Sequence, residues 1–167
     1  MRFIVSNTTE AGIEYKPNQN PDDFNGLTFP GRLTLFMKKR FDEGLGGFIL
    51  LPCELIDKNG DNLKECILKY SEDWGYGGEF EKWIETENHF TNTLVDRIVT
   101  GYPRDNAKEM EQSYGYLDDM IDTAEIFHLW VIEGDKKLAE EIPFHKSVLM
   151  CFGQTMLHRT RNVRCVF

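Results

Sequence analysis

Two short apolar runs, each followed by a segment of helical period, limit what this chain can fold into more than any other feature it carries. Phe3 to Val5 is apolar with β-branched residues and stops abruptly at Ser6, Asn7, Thr8 and Thr9, which predicts a buried core strand opening into a polar loop. Phe48 to Leu51 is a continuous apolar run bounded by Gly46-Gly47 and Pro52, the pattern of a strand covered on both faces. Between the two runs, Leu33, Phe36, Met37 and Phe41 recur at helical spacing after Pro30, and the pattern ends near Gly44. After Asn59-Gly60, the residues Leu63, Cys66, Ile67, Tyr70 and Trp74 do the same, with charged residues between them. Strand, helix, strand, helix is the order that builds a parallel sheet, because a parallel neighbour is reached only through a crossover. The expected class is α/β, a mostly parallel sheet with flanking helices.

The remainder of the chain is less regular. Lys16 to Gly31 is rich in Pro, Asn, Asp and Gly without an apolar period and reads as a surface excursion. Glu79 to Glu87 predicts a short amphipathic helix, Thr93 to Val99 a β-branched strand, Arg104 to Tyr114 a polar helix and Phe127 to Ile132 another strand. Past Glu133 the pattern weakens, with one further strand expected at Val148 to Phe152. A length of 167 residues with 41% hydrophobic content suits one domain with a real core. A net charge of -9 gives a surface that repels phosphate backbones and anionic membranes, so neither nucleic acid nor membrane is expected as a partner. Met1 to Ser6 is too short for a signal h-region or a membrane span. Cys53, Cys66, Cys151 and Cys165 form no C-x-x-C pair, which fits free thiols in a reducing cytoplasm. His89, His128, His145 and His158 share no ligand spacing with them, so no metal site is expected.

Four stretches carry the residue types of a ligand site. Gly44-Leu45-Gly46-Gly47 has the glycines of a dinucleotide loop but follows a helix and opens a strand, the reverse of what that loop requires, so it reads as a helix cap and turn. Asn7-Thr8-Thr9-Glu10 stands after the first strand, where the carboxyl edge of a parallel sheet holds ligand loops; a capped solvent turn explains the same residues. In Pro52 to Gly60, Asn59 either caps the coming helix or aims its amide at a developing alkoxide. Asp96-Arg97 lies inside a β-branched segment, where a charged pair is costly unless it is a buried ion pair or functional.

Ser6-Asn7-Thr8-Thr9-Glu10-Ala11-Gly12, then Pro52-Cys53-Glu54-Leu55-Ile56 with Asn59-Gly60, then Thr93 to Arg104, then Glu125 to Glu133 resemble, in that order, the tagaturonate reductase branch of the long-chain mannitol dehydrogenases. The resemblance runs from Met1 to about Ile142. It implies the latter part of a Rossmann-like NAD-binding domain, lacking the first phosphate-binding βαβ unit, and a reversible hydride transfer between NAD(H) and a keto sugar acid, tagaturonate to altronate. It further implies that Asn7, Thr8, Thr9 and Glu10 lie by the nicotinamide end of NAD, that Asn59 acts as an oxyanion donor and that Asp96 stands near the catalytic centre. Arg97 either binds the substrate carboxylate or holds Asp96, the second being favoured. The sister activities, fructuronate reductase and polyol dehydrogenase, fit less well, because those relatives tend to carry Cys-Asp-Asn where this chain has Cys53-Glu54-Leu55.

The departures bear on activity. The Gly-rich pyrophosphate loop of the family lies upstream of the residues matched here, so cofactor affinity is expected to be crippled. The family's catalytic Lys, a general acid/base, falls in the nearest register at Asn162, within Arg161 to Cys165. The expected organisation is a partial NAD-binding domain over 1–146 and a divergent or truncated start of the substrate region over 147–167, inactive as an isolated chain. Apolar surface left open where other segments would pack is expected to promote self-association, or to serve a noncatalytic interaction module.

Overall fold

A computed structural model describes residues 2–134, 136–142, 144 and 163–166. Its centre is a three-stranded parallel sheet in the order β1 (Phe3–Ser6), β2 (Ile49–Pro52), β3 (His89–Phe90). β1 crosses to β2 through a 3-10 turn at Phe24–Gly26 and α1 (Phe29–Asp42), and β2 crosses to β3 through α2 (Asn59–Asp73) and α3 (Gly78–Glu87). The parallel α/β arrangement is the one the alternating runs predict.

β2 is buried along its whole length because both faces are covered. Phe48 and Leu50 join Leu33 and Met37 of α1, Leu63 and Ile67 of α2, and Phe80 and Ile84 of α3 in one core. Ile49 and Leu51, which alternate with them, face a second core made with Ile132, Leu138 and Ile142. Burying each of these large apolar side chains contributes about 1.5–3 kcal/mol. α1 starts as a capped helix should, with Thr28 Oγ1 accepting from the Gly31 amide at 3.3 Å and Pro30 in its first turn. Gly44 follows its last turn in the left-handed conformation, and the chain then enters β2, so the glycine cluster is a helix end and a turn.

β1 differs from expectation. Ile4 packs against the first core, whereas Phe3 and Val5 are exposed, because β1 pairs only with β2 among the described residues. The later strands depart further. β4 (Thr93–Asp96) pairs antiparallel with β7 (Leu129–Gly134), which pairs antiparallel with β8 (Val163–Val166). Between β4 and β7 the chain leaves the body as an arm: β5 (Val99–Gly101), α4 (Ala107–Tyr114) and β6 (Thr123–Ala124), with β5 and β6 paired antiparallel. No helical crossover covering the sheet separates β4 from β7, so the chain returns alongside itself in the opposite sense. α5 (Lys136–Glu141) then closes the second core, and Arg2 at the start of β1 pairs with Glu141 at 2.6 Å. The strand expected at Val148 to Phe152, His145, His158 and the register at Asn162 lie outside the described residues.

Candidate functional site

β1, β2 and β3 all end on one edge, and three loops meet there: Asn7 to Gly12, Cys53 to Lys58, and Thr91 to Thr93. Glu54, 1% exposed, joins the first two. Its Oε1 accepts from the Thr8 amide at 3.0 Å and from Thr8 Oγ1 at 2.9 Å, while Oε2 accepts from Ser6 Oγ at 3.0 Å. A buried carboxylate with three donors is satisfied and orders the residues that supply them.

Asn59 joins the second loop to the third. Its Nδ2 donates toward the carbonyls of Pro52 at 2.9 Å and of Glu54 and Thr93 at 3.0 Å, and its Oδ1 accepts from the Gly60 and Thr93 amides at 2.9 Å. Thr93 Oγ1 also donates to the Pro52 carbonyl, and Thr91 Oγ1 donates to the Leu50 carbonyl at 2.8 Å. Asn59 is therefore not the cap of α2, whose N-cap is Lys58 in the left-handed conformation without a side-chain bond. Gly60 is tied to the same junction: a Cβ there would stand 2.3 Å from the Thr91 carbonyl oxygen, so only glycine lets α2 start this close to β3.

The first loop turns tightly. Gly12 N–H donates to the Thr9 carbonyl at 3.0 Å, and Thr9 holds φ at 92°, a costly backbone for a β-branched residue. Asn7, Thr9 and Glu10 are exposed and Thr8 is half-buried. Beside the second and third loops lies an open cleft of about 610 Å³, lined by Glu54 to Lys58, Asn92, Thr93 and Leu94, and by Val131 and Glu133 of the neighbouring strand β7. Asn92 is held at its wall by Asp61 and Glu133, at 3.2 and 3.1 Å.

Asp96 and Arg97 are where the sequence misleads. The single strand expected over Thr93 to Val99 is broken at Arg97-Ile98, and both charged residues are exposed, so neither pays a burial cost and no buried ion pair exists. Arg97 does not hold Asp96: its Nε donates to the Glu125 carbonyl at 3.2 Å, on the arm. Asp96 shares the strand face of Leu94, which lines the cleft. The residue that sequence reasoning left without a role is Glu54; a carboxylate placed directly after a fully buried strand, before Leu55 and Ile56, is the signal available for it. Burial pushes the neighbouring Cys53 thiol above its ordinary pKa, with a smaller opposing effect from Thr93. Among the described residues no cluster of His, Cys, Asp or Glu could hold a metal, and no helix is long and apolar enough to cross a membrane.

The model of the mannitol dehydrogenase Rossmann domain matches residues 4–146. The chain belongs to the mannitol dehydrogenase family. Within it, the chain is 48% identical over 153 residues to an altronate oxidoreductase of Shigella flexneri, and 47% identical over 153 residues to one of an Enterobacter species. Each match takes in 89% of this chain and 32% of the relative, so the chain spans about a third of the length of these family members. A substrate-free D-sorbitol dehydrogenase structure superposes with a TM-score of 0.64 at 26% identity, covering 79% of this chain and 30% of that one. A ternary complex of Pseudomonas fluorescens mannitol 2-dehydrogenase with NAD and D-mannitol gives 0.64 at 21% identity, covering 80% and 29%, and shares the fold. The parallel sheet and its carboxyl-edge loops are thus part of the mannitol dehydrogenase Rossmann domain.

Proposed function

We propose that this chain forms the nicotinamide side of an NAD site in an oxidoreductase that interconverts tagaturonate and altronate by hydride transfer. The observation that carries this reading is the convergence of three loops at the carboxyl edge of a parallel sheet, beside an open cleft. Ligands of open α/β sheets bind outside the carboxyl ends of the strands. The similarity to altronate oxidoreductases supports the substrate pair. NADH would supply the hydride that reduces tagaturonate, and NAD would accept it from altronate in the reverse direction; Asn7, Thr8, Thr9 and Glu10 would bind the nicotinamide end of the cofactor, with Asp96 on the cleft-facing strand near the reacting carbon. Asn59, with every polar atom engaged by main chain, acts by setting the geometry of the loops, so an oxyanion donor would have to come from a group it positions. Arg97, at the root of the arm, would meet a substrate carboxylate. Free thiols at Cys53 and Cys66 fit a reducing cytoplasm.

Calorimetric titration of the purified chain with NADH, with and without tagaturonate, tests this. Binding of about 1 mM or tighter, roughly -4 kcal/mol, is expected. No detectable heat from a folded protein would reject the half-site.

A second reading has its own observation. The arm exposes Leu117, Met120, Ile126 and Phe127, the first three at 85, 85 and 91%, with Tyr114 and Tyr116 stacked beside them. Such surface is uncommon on a monomer and supports self-association through it, or a noncatalytic docking role.

A further inference from the structure

We infer that Glu54 is a positioning residue for the nicotinamide-side loop, holding Thr8 so that the strained turn at Thr9 presents Thr9 and Glu10 to the cofactor; this rests on the NAD reading above. Glu54 belongs to β2's loop, yet all three donors to its carboxylate come from the end of β1 and the loop that follows. It makes no ion pair among the described residues, and its carboxylate is turned to that loop. The contact is also specific in geometry. Both Thr8 bonds end on Oε1, and Oε2 takes only Ser6 Oγ, a hydroxyl that can donate or accept.

Two neighbours show why the clasp matters for position. Thr9, at φ 92°, is a β-branched residue in a sparsely populated region, and such a backbone persists only where its flanks over-determine it. One flank is Thr8 on Glu54; the other is the Gly12 amide on the Thr9 carbonyl. Gly12 contributes again by what it lacks, since a Cβ there would lie 1.8 Å from Thr8 Oγ1 and drive the hydroxyl away from Glu54. Released from Glu54, Thr9 is free to relax to negative φ, and the exposed side chains of Thr9 and Glu10 turn with it.

The experiment compares Glu54→Leu, Glu54→Gln and Gly12→Ala with the wild-type chain, reading the hydrogen exchange of the Thr8 amide by NMR and the NADH dissociation constant by titration. Glu54→Leu is expected to accelerate Thr8 exchange and to weaken NADH binding about tenfold or more. Glu54→Gln keeps an Oε1 acceptor for Thr8 and an amide donor for Ser6, so it is expected to restore both readouts to near wild type. Gly12→Ala, with Glu54 intact, is expected to reproduce the loss, and it decides the matter if Glu54→Leu does not fold. Wild-type affinity in a folded Glu54→Leu or Gly12→Ala protein with accelerated Thr8 exchange would overturn the inference alone. So would Glu54→Gln binding as weakly as Glu54→Leu, since charge and not geometry would then govern. A folded wild-type chain that does not bind NADH would instead overturn the NAD reading, and this inference with it.

Discussion

Asn59 shows how a single residue can be visible in sequence while its task is not. An Asn-Gly pair before a helix suggests a cap, and the family resemblance suggests an oxyanion donor. In the folded chain its amide is shared among main-chain groups of β2, its loop and β4, with no polar atom left over. Asn59→Ala would leave several buried carbonyls and amides without partners, each costing about 1–3 kcal/mol, and a total loss of about 3–4 kcal/mol is expected in urea unfolding. Tyr15 gives a prediction in pH. Its hydroxyl donates to Asp73 at 2.6 Å, and that bond, with burial and nearby negative charge adding to it, pushes its pKa up to about 12. The protonated phenol is the form favoured by folding, so its stabilising contribution is whole below the unfolded value near 10 and is lost as pH rises through about 12. In a spectrophotometric titration Tyr15 should ionise late, and Tyr15→Phe should remove that late step and, by losing the bond to Asp73, lower stability at neutral pH.

Among elements, β2 was the most legible, because a strand covered on both faces must be continuously apolar and no other short element has that need. Thr93 to Val99 was the least. Its β-branched residues favour extended backbone, but propensity does not say where an extended segment changes partners, and the chain leaves β7 for the arm at Arg97-Ile98. The two-residue strand β3 is too short to leave a periodic trace at all. The arm also carries a prediction. Replacing Leu117 and Met120 by Asp places charge on its exposed apolar surface, and sedimentation velocity should show less self-association than wild type at equal concentration. Identical concentration dependence in both proteins would locate any association elsewhere, with the exposed residues Phe3 and Val5 of β1 the next surface to test.

At the scale of the molecule, a ligand that binds only the folded chain must raise its stability. With a dissociation constant near 1 mM, NADH at about 10 mM should add about 1.4 kcal/mol, a rise of roughly 3–5 °C in the melting temperature. AMP, which lacks the nicotinamide, should shift it less if the half-site lies where we place it. The sequence by itself determined the α/β class, the parallel order of the first strands, the double-sided core around Leu50 and Leu51, and the family, because periodicity and motif order are local properties that survive without coordinates. Only the tertiary structure decided that Asp96 and Arg97 are exposed, that Asn59 is consumed by the main chain, and that Glu54 reaches across to Thr8. These facts depend on which loops the sheet brings together, and residues 46 positions apart carry no mark in the sequence of the hydrogen bond that joins them.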